Sequence, residues 1–178
     1  LATSSAASDV YKRQAFTRPK RKYFLAKSGF THGYTYFTWR NTAAELQQYI
    51  EEPTQCGSKE YFWPNFWPNT PDILHADLQT GNRATFIGRY VLAATLSSNA
   101  GLYGPAYELL DHEPYPGKEE NSHSEKYQLK AWDLDKPGNI RAEIARMNAI
   151  RNKHEAFQRT FNIHFIPCSN SHIIAYLK

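Results

Sequence analysis

"YFWPNFWPNTPDIL", residues 61–74, sets an aromatic, apolar run directly before a polar turn that ends in an acid. Tyr61 to Trp67 reads as a short strand, because aromatic side chains suit a pleated, half-buried surface. Pro64 restricts that strand to an end or an irregular position, since a proline nitrogen has no proton to donate to a ladder. Asn69 to Asp72 then break the pattern, and a helix is expected from Ile73. On the residues alone Asp72 has two readings. It caps that helix, or it is a carboxylate held at the end of a strand for chemistry.

Working outward, the same order of strand and then helix repeats. Upstream, "FTHGYTYFTW" (30–39) reads as a strand. Thr42 with Glu45 three residues later forms a capping box, opening a helix through Leu46 and Ile50 that Pro53 should end. Before these, Thr17, Arg18 and Pro19 look like a cap and first turn, with Gly29 as the stop. Downstream, a helix from about Arg83 to Ser98 is apolar almost all round, which predicts burial on more than one side. "AGLYGPAYEL" (100–109) follows as a strand with a glycine turn, then a loop rich in Glu, Pro and Gly. A helix from about Asn139 to Phe157 turns Ile140, Ile144, Met147 and Ile150 inward. "NIHFIPCSNSHIIAYLK" (162–178) reads as two strands around a Ser-Asn-Ser turn.

Strand–helix units of about 30 residues with polar residues just past the strands specify an α/β chain with a parallel sheet, and suggest a (β/α) barrel. Only three or four units are present where such a barrel needs eight. The sequence therefore reads as a piece of a longer protein, whose open sheet edges and aromatic faces should drive association when it is isolated. Leu1 to Gln14 stands apart. It is small, polar and without structural period, and Ser4 to Gln14, "SSAASDVYKRQ", reads as a translated transposase adapter of the kind used to prepare sequencing libraries.

Composition narrows the class. With 41% apolar and 15% aromatic residues in 178, the chain is globular material rather than disordered. Its net charge of +4 is scattered, which argues against nucleic acid as a partner. No apolar run of membrane-spanning length and no secretory leader is found, so a cytoplasmic protein without a membrane partner is expected. Cys56 and Cys168 lack CxxC spacing and are read as structural thiols. The seven histidines show no metal-ligand spacing, and no GxGxxG or Walker sequence is present, so neither metal nor cofactor is expected.

Candidate functional residues cluster after the strands. Beside Asp72, "SEKYQLKAWDLD" (124–135) holds Lys126 and Tyr127 in a loop, either as a solvated charge next to a partly buried aromatic or as ligand contacts. Tyr34, Tyr36, Trp39, Phe62, Trp63, Phe66 and Trp67 form an aromatic set that serves as core or as flat faces for sugar rings.

"AFTRPK", "YTYFTWRNTAAEL", "NFWPNTPDIL", "AATLSSNAGLYGPAYEL" and "SEKYQLKAWDLD" together resemble the α-1,4-glucan:maltose-1-phosphate maltosyltransferases, a branch of the α-amylase superfamily. The likeness runs from Ala15 to Lys178, and the NTPD and SEKY stretches are specific to that branch. It implies the C-terminal half of a (β/α)8 TIM barrel over residues 15–158 and the first strands of a C-terminal β-sandwich domain over residues 159–178. It implies a retaining transfer of maltosyl units from α-maltose 1-phosphate to the non-reducing end of an α-1,4-glucan, without cofactor, and a homodimeric parent. Asp72 matches the transition-state stabiliser, while Lys126 and Tyr127 match residues that hold the donor's hydroxyls. Gln14 occupies the position of the acid/base glutamate, and the aspartate nucleophile is expected upstream of this chain, so the chain by itself should be inactive. A hydrolase of the same superfamily and a non-catalytic glycan-binding module are the alternatives.

Overall fold

A computed structural model describes residues 18–30, 32–55, 57–125 and 128–178. α1 (Pro19–Lys27) precedes β1 (Gly33–Tyr34), α2 (Ala43–Gln55) precedes β2 (Pro64–Phe66), and α3 (Ala76–Gln79) and α4 (Arg83–Leu96) precede β3 (Asn99–Ala100). The three strands are parallel in the order β1-β2-β3. Tyr34 lies opposite Asn65, and Asn65 opposite Asn99. Pro64 is accommodated in this central strand because it is the first strand residue.

Past β3 come α5 (Gly104–Glu108), a long irregular stretch, and α6 (Arg141–Lys153). The chain then forms an antiparallel hairpin of β4 (His164–Ile166) and β5 (Ala175–Leu177), a sheet separate from the parallel one. Phe165 pairs with Tyr176 in its register. This is an α/β chain, as the strand–helix repeat predicts.

α4 organises the interior. Phe86, Tyr90 and Ala94 pack with Leu74, Tyr107, Ile140 and Ile144 in one apolar cluster. Ala93 and Leu96, on another side of the same helix, join Phe37, Leu46, Ile50 and Phe66 in a second. A helix apolar on most of its circumference is thus buried on two sides, as expected. The hairpin leans on the second cluster through Phe165 and Tyr176, and the Tyr176 hydroxyl lies 2.6 Å from Thr95 Oγ1.

Two buried or half-buried arginines fasten these layers through main-chain carbonyls. Arg89, on α4, donates to the carbonyls of Arg40 (2.6 Å) and Phe37 (2.8 Å), and its guanidinium lies over the Phe37 ring. Arg151, on α6, donates to the carbonyls of Ala94 (2.8 Å) and Ser98 (2.7 Å), which satisfies acceptors at the free end of α4. Burial lowers the pKa of both arginines, and the carbonyls compensate for the lost water.

Local expectations hold at some ends and fail at others. The capping box at α2 is present, with Thr42 N–H donating to Glu45 Oε2 (3.0 Å) and Glu45 N–H to Thr42 Oγ1 (3.2 Å). Pro53 does not end α2, which runs two residues further. A proline's φ is helical, and so close to the end it forfeits only one bond, to the Tyr49 carbonyl. Thr17 lies outside the described residues, and Arg18 is the N-cap of α1 without a side-chain cap. Gly29, at φ +103°, is the expected stop.

The strand expected over 30–39 shortens to two residues. Tyr36 N–H donates to the Tyr49 hydroxyl (2.8 Å) instead of to a neighbouring strand, and Phe37–Trp39 turns as 3-10 helix. "AGLYGPAYEL" is strand only at Ala100 and turns to helix over Gly104–Glu108, because Pro105 lies in the first turn of α5. Cys168 is exposed between β4 and β5 and is no part of a packed core, contrary to the structural role expected of it. Cys56 lies outside the described residues.

Candidate active site

The C-terminal ends of all three parallel strands open on one cavity of about 580 Å³. Ligands of α/β folds bind there because side chains just past the strands converge without being needed for the ladder. Tyr34 closes β1, Trp67 follows β2, and Leu102, Tyr103 and Gly104 follow β3. Thr38, Thr70, Pro71 and Asp72 complete most of the wall.

Trp67 is held from two directions. Its indole meets the Tyr34 ring edge-to-face, with centroids 5.4 Å apart and planes at 75°. Its other neighbour is Gly101, where a Cβ would lie 2.3 to 2.8 Å from the indole ring. Gly101→Ala is therefore expected to destabilise a longer protein carrying this segment by about 1–3 kcal/mol. Gly88→Ala, on a part of α4 where a Cβ meets nothing within 4 Å, should stabilise it by about 0.5–1 kcal/mol. Urea midpoints of the two variants measure the contrast, and equal midpoints would remove the packing role of Gly101.

Lys22, on α1, fixes the β1 side of the cavity. Its ammonium donates to the Tyr34 carbonyl (2.8 Å) and lies 4.4 Å from the Tyr36 ring centroid. Burial pulls its pKa down to about 8.

Asp72 stands at the corner of a two-residue turn. Thr70 and Ile73 exchange N–H···O bonds of 3.1 Å in both directions, with Pro71 and Asp72 between them. Proline at the first corner and aspartate at the second suit this geometry. The expectation that Asp72 caps a helix opening at Ile73 is overturned. The helix opens at Ala76, and its cap is His75, whose ring nitrogen accepts from Asp77 N–H at 3.2 Å. Pro71 and the turn's own hydrogen bonds delay helix entry, leaving the exposed Asp72 side chain on the cavity wall.

Tyr103 is a site residue that reading by residue type missed. Its backbone N–H donates to the Oδ1 of fully buried Asn69 (3.0 Å), and its hydroxyl accepts from Glu125 N–H (3.0 Å). Burial raises its phenol pKa above the ordinary value, so it stays protonated at neutral pH. Tyr103 thereby joins Asp72's cavity to the residue that precedes Lys126. Gln14, Lys126 and Tyr127 themselves lie outside the described residues. The aromatic set divides: Tyr34 and Trp67 face the cavity, Phe62 and Phe66 are buried, and Trp63 lines a separate opening with His32, Ser98, Asn99 and Gln158.

Among the described residues no group of three or more His, Cys, Asp or Glu is placed to hold a metal ion, and no helix is long and apolar enough to cross a membrane. What the fold and cavity define is an α/β segment that offers a carboxylate and aromatic walls at the C-terminal ends of parallel strands.

Comparison with known proteins makes the class particular. No family model matches the chain. It is 64% identical over 157 residues to the α-1,4-glucan:maltose-1-phosphate maltosyltransferase of Chlorobaculum tepidum, a match covering 88% of this chain and 23% of that protein. The proteins of the same name from Methylacidiphilum infernorum and Salinibacter ruber are 55% and 48% identical over 170 and 169 residues, each match covering 95% of this chain and 26% of the relative. The chain is thus a homologue of a segment of the α-1,4-glucan:maltose-1-phosphate maltosyltransferases, and it spans about a quarter of the length of these curated relatives.

Proposed function

We propose that the longer protein to which this segment belongs transfers maltosyl units from α-maltose 1-phosphate to the non-reducing end of an α-1,4-glucan, with retention at the anomeric carbon. The observation that carries this is the 64% identity over 88% of the chain to a protein of that name. The cavity at the strand ends, with Asp72 on its wall, supports it independently. Parallel strands interleaved with helices support a (β/α)8 barrel as the parent fold, to which residues 15–158 contribute the C-terminal half. The separate antiparallel hairpin supports a β domain beginning at residue 159.

Chemically, retention needs two displacements. An upstream aspartate attacks the anomeric carbon as phosphate departs, and a glutamate at the position that this chain fills with Gln14 then removes the proton of the acceptor 4-hydroxyl as that oxygen attacks. Asp72 would accept hydrogen bonds from the sugar hydroxyls, strongest as the ring flattens toward an oxocarbenium ion. Lys126 and Tyr127 would hold the donor's maltosyl hydroxyls.

The test uses the full-length Chlorobaculum tepidum relative with residues 15–178 of this chain in place of its matching segment. With maltose 1-phosphate and a glucan, phosphate release and chain extension should proceed together. Phosphate release without extension would indicate a hydrolase, and neither would indicate a glycan-binding module. In the same protein Lys126→Ala should raise KM for maltose 1-phosphate about 10- to 100-fold, the loss of a charged hydrogen bond in donor binding, with the thermal midpoint little changed. An unchanged KM would return Lys126 to the solvated surface.

A further inference from the structure

The turn that carries Asp72 is gripped from outside by a second hairpin-like loop. In that loop Tyr115 N–H donates to the Glu120 carbonyl (2.9 Å) and Ser122 N–H to the Glu113 carbonyl (2.8 Å). Gly117, at φ +74°, makes the tip. The loop meets the Asp72 turn at two points. Leu74 N–H donates to the Glu119 carbonyl, and Asn121 Nδ2 donates to the Thr70 carbonyl at 3.0 Å. The second contact is the informative one, because Thr70 O also accepts the Ile73 N–H that closes the turn.

Asn121 is 1% exposed, and its Oδ1 has no hydrogen-bond partner among the described residues. An amide buried with half of its capacity unused is costly as filler, since an apolar side chain of the same size would avoid the desolvation. Its Nδ2 contact is thus the feature that distinguishes asparagine from leucine at this position. Asn69 repeats the pattern on the other side of the turn: fully buried, its Oδ1 bonded to Tyr103 N–H, its Nδ2 without a partner among the described residues.

We infer that Asn121 is a positioning residue for Asp72: by donating to the Thr70 carbonyl it sets the angle at which the Pro71–Asp72 corner enters the cavity. This rests on the maltosyl-transfer reading of the site. The bond links the corner to the loop that leads, four residues on, into Glu125 and its contact with Tyr103, so both walls of the cavity are set by one segment. A misplacement of about 1 Å in a positioned catalytic group commonly costs on the order of 100-fold in rate.

The test uses the same full-length protein and two variants of nearly unchanged shape. Asn121→Leu fills the space without a donor, so kcat should fall about 10- to 100-fold, with KM for maltose 1-phosphate within about threefold. Asn121→Asp cannot donate while ionised and can donate once protonated. Its kcat, divided by that of the unsubstituted protein at each pH, should therefore rise as pH is lowered from about 8 to about 5.5, because burial raises a carboxyl pKa. A kcat for Asn121→Leu within about threefold of the unsubstituted protein, or a ratio for Asn121→Asp that stays flat with pH, overturns the inference. Should Asn121→Leu fail to fold, the Asn121→Asp ratio decides.

If the unsubstituted protein moves no maltose, the proposed function fails, and amide hydrogen exchange decides Asn121 separately. Exchange across residues 70–74 should then be about tenfold faster in Asn121→Leu, with α6 unchanged. Equal exchange at 70–74 overturns the inference.

Discussion

Asp72→Asn, in a full-length maltosyltransferase carrying this segment, is expected to lower kcat about 10²- to 10³-fold while leaving the fold intact. The fold should survive because asparagine takes the second corner of a two-residue turn as readily as aspartate does. No helix cap is at stake, since α3 is capped by His75 three residues later. The rate should fall because the substitution keeps the shape and removes the charge. Hydrogen bonds to an ionised acceptor are about twice as strong as neutral ones, and those that tighten in the transition state act on kcat rather than on KM. Each tenfold loss corresponds to about 1.4 kcal/mol of transition-state stabilisation. Steady-state kinetics with maltose 1-phosphate, beside a thermal melt, measures both quantities. Turnover within about threefold of the unsubstituted protein would leave Asp72 as a turn residue and nothing more.

What the sequence made legible were the features written in local chemistry. Thr42 and Glu45 announce the start of α2 because a capping box needs only residues three apart. The apolar residues on most of the circumference of α4 announce burial on two sides, and a narrow strip of Ala84, Gly88 and Val91 is left to solvent. The alternation of strand and helix gives the parallel sheet. What stayed hidden depends on residues far apart in the chain. β1 is two residues long because the Tyr49 hydroxyl, on α2, takes the Tyr36 N–H. Asp72 is not a helix cap because Thr70 and Ile73 close on each other and the loop through Asn121 braces them from about 50 residues downstream.

The site divides along the same line. Asp72 could be nominated by type and by its place after a strand, and Tyr34 and Trp67 as aromatics of expected strands. Tyr103 and Asn121 could not, since one sits in a stretch that reads as a strand and the other in a polar loop. A faint signal existed for Tyr103: glycines on both sides, Gly101 and Gly104, mark a place where backbones and rings come close. Gly101 is there because the Trp67 ring occupies the space of its missing side chain.

The largest kinetic consequence is expected at position 14, where the chain carries glutamine and the resemblance calls for glutamate. With residues 14–178 grafted into the full-length relative, the two half-reactions should separate. Phosphate is a good leaving group that needs little protonation, so attack by the upstream aspartate should slow only moderately. The acceptor 4-hydroxyl is a poor nucleophile until a base takes its proton, and glutamine can neither give nor take one at neutral pH. Positioned proton transfer of this kind contributes about 10²–10⁴ in rate, so the second half-reaction should become limiting. Mixing with maltose 1-phosphate should then release a burst of phosphate close to one equivalent and leave a maltosyl ester on the upstream aspartate, visible by intact-protein mass spectrometry. Gln14→Glu should abolish the burst and restore steady chain extension. Adding a small anionic nucleophile such as azide to the glutamine form should also clear the adduct, because it needs no base to remove a proton. If the glutamine form extends glucan as fast as Gln14→Glu and no adduct accumulates, position 14 is not the acid/base. The proton would then have to move through a group elsewhere in the cavity that holds Asp72 and Tyr103.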